Sequence, residues 1–308
     1  MPAKERSTLF PILLIVAVLV IAGVGAGLLY YLTHPSSSSS RVTIQVGDNA
    51  TVNYIGFIGS GAQYGKVFDT SFYSVAKNNV TYPKSLEFTM RPSAANYTPL
   101  PVHVGATSPS SGYSQYGLSF ITVVTGFWQG ILGMPGNQTT SIVIPPNLGY
   151  GPQSPDCFQN ASLTSTLPVL RTLSTSQFAS AYPGVSAAQG TEFRDPTYGW
   201  PVYVLSANST VVVVQNQPTV GWSSTPSTVG WPVAVTALNS TTITLTNELT
   251  PADAGLVLGH STASVCSQTQ YIVSAVNTAS GTYTRNYNSE HVGQTLIFVV
   301  TIVDIFPA

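Results

Sequence analysis

Two stretches, GWPVYVLSANST from Gly199 and GWPVAVTALNST from Gly230, constrain this chain more than anything else in it. A repeat array stacks like units until each has buried its apolar face, and three or more copies are needed for that. Only two are clear here. The pair therefore reads as a half-module copied once inside another domain, covering residues 199–221 and 230–255, and not as a solenoid.

Charged residues make up 7% of the chain, against roughly 25% in ordinary soluble domains. Disorder does not follow, because 44% of the residues are hydrophobic and 10% aromatic. Val, Thr, Ser, Tyr, Gly and Pro dominate, which favours strands and turns over helices. The net charge is -1 with no basic run, so a nucleic-acid partner is not expected.

From Leu9 to Leu32 the sequence carries no charge. That is longer than the ~20 residues a helix needs to cross a bilayer core, and longer than the apolar region of a cleaved signal peptide, the competing reading. Residues 9–32 are expected to form a transmembrane anchor. Lys4 and Arg6 place residues 1–8 in the cytoplasm and the rest outside it, with residues 33–40 a Ser-rich linker. Two cysteines in an oxidising compartment, Cys157 and Cys266, are expected to form a disulfide. Glycosylation sequons occur at Asn49, Asn79, Asn96, Asn137, Asn160, Asn208 and Asn239.

Alternation predicts paired strands around the GD turn of RVTIQVGDNATVNYIGFIG, a strand in PLPVHVG, and a long closing strand in GQTLIFVVTIVDI. Val123–Gln138 is the one helical segment outside the N-terminus, with Phe127, Ile131 and Met134 on its core face and Pro135-Gly136 ending it. The order implies an α+β domain interrupted once. No nucleophile elbow, P-loop or Rossmann glycine pattern occurs, and the four histidines are scattered, so no metal or cofactor is expected. NSEH at Asn288–His291 reads as a structural turn.

VNYIGF (Val52–Phe57), VFDTS (Val67–Ser71), PLPVHVG, VVTGFWQGILGM, IPPNLGYG and LIFVVTIVDI stand in the order found in FKBP-type peptidyl-prolyl isomerases. Residues 41–151 and 286–308 resemble that family, and its archaeal long-form members most. The resemblance implies an FKBP-like antiparallel half-barrel wrapped on one short helix. It also implies a pocket. Tyr54 forms a side wall, Phe68 and Asp69 the rim and polar corner, Leu100 and Val102 the strand before the helix, and Val123 and Val124 the helix entry. Phe127 is the floor, with Trp128 the next ring along. Tyr150 offers its hydroxyl to the substrate carbonyl, and Phe298 closes the cavity.

Residues 152–285 read as an enlarged, mainly-β insertion. Arg171–Gly221 resembles the insert-in-flap chaperone domain of SlyD-type relatives, with QNQPTVG in the place of its closing motif. YNSEHVG (Tyr287–Gly293) then supplies a second closing motif before the last strand. The expectation is a membrane-anchored, extracytoplasmic prolyl isomerase and chaperone whose partners are proline-containing unfolded polypeptides. The alternatives are a catalytically silent binding module and a structural surface protein.

Overall fold

The structure, a computed structural model, describes residues 42–106 and 117–308. It corrects the fold class. The described residues form sheets joined by short helical turns, and their α-helices, Tyr73–Lys77, Thr125–Gly130 and Thr175–Ala181, hold five to seven residues each. The described residues are mainly β and not α+β. Among the described residues no helix is long and apolar enough to cross a membrane. Residues 1–41, on which the expected tail, anchor and linker fall, lie outside them. The helix expected over Val123–Gln138 spans only Thr125–Gly130. Its core stripe had the right period, but Gly130 and Gly133 follow closely, and Gly133 takes a φ of 76° that ends helical geometry.

The described residues fall into two compact units. The first holds those up to Ser60, with Tyr64–Gly149 and Thr295–Ala308; the second holds Gly61–Gln63 and Tyr150–Gln294.

The first unit is a six-stranded sheet. It contains β1 (Asn49–Ile58), β2 (Val67–Thr70), β3 (Leu100–His103), β4 (Ile121–Thr122), β5 (Thr139–Ile144) and β18 (Leu296–Phe306). The order is β4-β3-β1-β18-β5, with β2 also on β1. The closing strand β18 is central, antiparallel to both β1 and β5. Its alternate residues Leu296, Phe298, Val300 and Ile302 are buried, the period-2 pattern of a strand with one face on the core. Phe127 and Ile131, one helical turn apart, pack onto that face. Glycines let the helix approach: a Cβ at Gly126 would stand 2.5 Å from Ile144 Cγ2, and one at Gly130 2.5 Å from Ile142 Cγ2.

The second unit is built on a spine. Strands β6 (Phe158–Ser162), β7 (Thr164–Pro168) and β8 (Leu170–Ser174) follow one another with single buried residues, Leu163 and Val169, between them. After β9 (Glu192–Arg194), the strands β10 (Pro201–Ala207) and β11 (Val211–Asn216) make a first hairpin. After β12 (Ser223–Ser224), β13 (Val233–Leu238) and β14 (Thr242–Asn247) make a second. After β15 (Leu258–Val265), β16 (Gln268–Asn277) and β17 (Thr282–Asn286) make a third. The spine meets them in reverse: β8 pairs with β11, β7 with β14 and β6 with β17.

The joints repeat every six residues. Backbone carbonyls of Cys157, Leu163 and Val169 accept the N–H groups of Tyr287, Asn247 and Asn216. In turn, the N–H groups of Leu163, Val169 and Thr175 donate to carbonyls of Gly281, Thr241 and Thr210 at the hairpin turns. All three hairpins carry a register break at one place: Val204/Ser206, Val235/Ala237 and Val273/Ala275. The GWPV duplication thus belongs to a threefold repeat with a diverged third copy. Trp200 and Trp231 donate their indole N–H to Asn216 and Asn247, whose amides tie back to Pro168 and Leu163 carbonyls. The third copy has no such Trp–Asn pair; Tyr271 and Tyr287 pack together there, ring centroids 5.2 Å apart.

Candidate functional site

Within the first unit, Phe298 is the residue on which the aromatic side chains converge. Phe127 meets it edge-on at 5.0 Å between centroids, Phe68 edge-on at 5.4 Å, and Tyr54 tilted at 6.2 Å. Edge-to-face rings set the hydrogen rim of one against the electron-rich face of another, which fixes orientation beyond mere burial. Gly56, opposite Phe298 in the ladder, makes room for this: a Cβ there would stand 2.6 Å from Phe68 Cζ. Val102 is wholly buried in the same hydrophobic core, while Leu100, Val123, Val124, Trp128 and Leu148 are partly buried against that core. Of the two candidate floor rings, Phe127 is the buried one, and Trp128 sits at the periphery.

One edge of the cluster is polar. The Tyr54 hydroxyl donates to Asp69 Oδ2, and Asp69 Oδ1 accepts the N–H of Thr70 at 2.8 Å. Into this pair comes Arg91, a residue the sequence did not single out. Its Nη2 donates to Asp69 Oδ1 at 3.0 Å and to the Tyr54 hydroxyl at 3.1 Å. Its backbone N–H donates to the Tyr97 hydroxyl and its Nη1 to the Asn96 carbonyl, with the Tyr97 ring 5.0 Å from the guanidinium. A reciprocal cap between Ser93 and Asn96 shapes that turn. The one signal was scarcity, because the sequence holds only ten Lys and Arg in 308 residues.

Burial pushes the Tyr54 hydroxyl well above its usual pKa, and the adjacent Asp69 carboxylate adds to the rise. Tyr54 therefore stays protonated and donates across the physiological range. Burial alone would lower Arg91, yet Tyr54 and Asp69 outweigh it and hold the guanidinium above its ordinary value. The arrangement is a buried aromatic cluster, each of its four rings less than a tenth exposed, with one fixed donor and one ion pair at its edge. The carboxylate side chain is 46% exposed, so it faces both the cluster and solvent.

Tyr150 belongs to the second unit, where it is half-exposed and packs on the His291 ring at 5.2 Å. Cys157 and Cys266 are joined, with Cα atoms 5.8 Å apart. Among the sequons, Asn49 must be corrected. Its side chain is 1% exposed and bonded to His103 Nδ1, so a glycan has no room. Asn79, Asn96, Asn137, Asn160, Asn208 and Asn239 are exposed. Among the described residues no group of three or more His, Cys, Asp or Glu could hold a metal ion.

No protein-family model matches this chain, and no curated protein does.

Proposed function

We propose that the first unit is a peptidyl-prolyl cis-trans isomerase of the FKBP type, acting on proline-containing segments of unfolded polypeptides. The second unit, in this reading, holds those chains nearby, in an oxidising compartment where the Cys157–Cys266 bond persists. The observation that carries the proposal is the convergence of Tyr54, Phe68 and Phe127 on Phe298, with Asp69 and Arg91 at its one polar edge.

Rotation about an amide costs ~18–20 kcal/mol because conjugation makes the C–N bond partly double. No proton has to move to lower that barrier. A surface that binds the twisted amide better than either planar form accelerates exchange by the difference, about tenfold per 1.4 kcal/mol. The apolar wall takes the proline ring and excludes the water that stabilises the planar, more polar amide. The protonated Tyr54 and the Asp69–Arg91 pair fix the orientation of the neighbouring backbone.

The test is proline-limited refolding of a model protein with the full chain added in catalytic amounts. Acceleration that drops at least tenfold in Asp69→Ala and in Phe127→Ala is expected. No acceleration by the native chain overturns the enzymatic reading. Suppressed aggregation without acceleration would make the protein a silent binding module.

A further inference from the structure

We propose that the free edge of β8, with the groove beside it, is a docking site for an extended polypeptide strand bearing a carboxylate side chain. In an antiparallel pair, alternate residues turn both main-chain groups toward the partner and the residues between turn theirs away. The Val169 carbonyl accepts from Asn216, and the Thr175 N–H donates to Thr210, with unbroken register between them. Residues 169, 171, 173 and 175 therefore face β11, and the N–H and C=O groups of Leu170 and Thr172 point outward. β8 is the last strand of its sheet, and both residues are exposed. Edge strands are commonly guarded by charge, proline or a covering element. The outward positions here are Leu and Thr.

A groove of about 500 Å³ runs beside this edge, between β8 and the helix Thr175–Ala181. Leu173 and Ala181 give it an apolar floor, and Arg171, Ser176, Gln177 and Ser180 its polar walls. A strand added to β8 would direct alternate side chains to the same side of the sheet as Arg171 and Leu173, the arrangement in which main-chain bonds give affinity and pockets give selectivity. Arg171 selects the charge. Its Nη1 donates to the Tyr182 hydroxyl at 3.0 Å, but among the described residues the arginine ion pair is Arg91 with Asp69. A partly buried guanidinium with no carboxylate at ion-pair distance is a ready donor to one. The choice of a polypeptide as occupant rests on the reading of the second unit as a holder of unfolded chains; the location rests on the edge and groove.

The probes are two fluorescein-labelled heptapeptides of alternating Val and Thr with a central Glu or Gln, titrated against the full chain by anisotropy at low salt. The Glu peptide is expected to bind at least fivefold more tightly, and Arg171→Gln to abolish that preference. Thr172→Pro, which deletes an outward N–H, is expected to weaken both peptides at least tenfold. Thr166→Pro on β7 should leave both unchanged. Near-UV circular dichroism checks that each variant is folded, and amide exchange in the native chain, slowed by peptide at Leu170 and Thr172, provides a readout independent of mutation. Unchanged affinity in folded Thr172→Pro, protection on another strand, or loss with Thr166→Pro overturns the site. Peptide binding as described in a chain that fails to accelerate refolding would sink the isomerase reading alone.

Discussion

Arg91 Nη2 lies 3.0 Å from Asp69 Oδ1, across 22 residues of chain. The loop carrying Arg91 is itself fixed by Tyr97 and Asn96, so the ion pair makes the orientation of Asp69 depend on a turn remote in sequence. In the proposed isomerase, Arg91→Ala should lower kcat/KM about tenfold, in line with the ~1.5–3 kcal/mol typical of a bond to a charged group. Arg91→Lys should restore only part of it, since an ammonium cannot serve Asp69, Tyr54 and Asn96 from one planar fork. Proline-limited refolding rates across substrate concentrations check both.

Tyr54 sets a limit at alkaline pH. Its folded pKa is raised, so the unfolded chain releases this proton near the ordinary value of about 10 while the folded chain retains it. The contribution of Tyr54 is thus intact below pH ~10 and is lost as pH rises from there toward the raised folded value, at up to about 1.4 kcal/mol per pH unit. Urea unfolding at pH 9, 10 and 11 should show a decline that is shallower in Tyr54→Phe. An identical pH slope in the two proteins would contradict this.

The helix Thr125–Gly130 lies as close to the sheet as its glycines allow. Gly130→Ala puts a methyl 2.5 Å from Ile142 Cγ2 and should cost ~1–3 kcal/mol, as overpacking usually does. Gly136→Ala, with nothing within 4 Å of its new methyl, should change stability by no more than ~0.5 kcal/mol. Paired urea titrations decide it.

Cys157–Cys266 closes a sequence separation of 109 residues and should stabilise the second unit by roughly 4–5 kcal/mol on chain-entropy grounds. Three of the four tryptophans, Trp200, Trp222 and Trp231, lie in that unit. Intrinsic fluorescence should therefore report a lower unfolding midpoint in the Cys157→Ser, Cys266→Ser double variant. A midpoint equal to that of the native chain would show that the spine holds without its staple.

Strand positions were legible where alternation was clean. β1 and the central β18 follow directly from period-2 burial, which accounts for Tyr54 and Phe298, whereas Phe68 comes from the short β2 and Phe127 from the helix. The helix was overdrawn because i, i+4 spacing says nothing about where glycines stop it. Arg91 escaped notice because a loop residue carries no periodicity. The third hairpin escaped because its Trp and Asn are gone, and what keeps the memory of the copy is backbone geometry, the register break at Val273/Ala275 and the joints to the spine. The spine was the least visible element. Leu163 and Val169 are two apolar residues in a Ser/Thr-rich run, and their six-residue period has meaning only once the three hairpins exist.

Serving the hairpins in reverse order has a topological consequence: the pairings nest like brackets. β8 closes on β11, β7 around that on β14, β6 around both on β17, and β5 and β1 outermost on β18. No pair crosses another, so the innermost sheet is complete as soon as Asn216 has been synthesised, and each later hairpin finds its spine segment already waiting. The aromatic cluster belongs to the outermost bracket, with Tyr54 on β1 and Phe298 on β18. Phe298 is the last of its rings to leave the ribosome, so the first unit has no closed sheet until the whole insertion has been made.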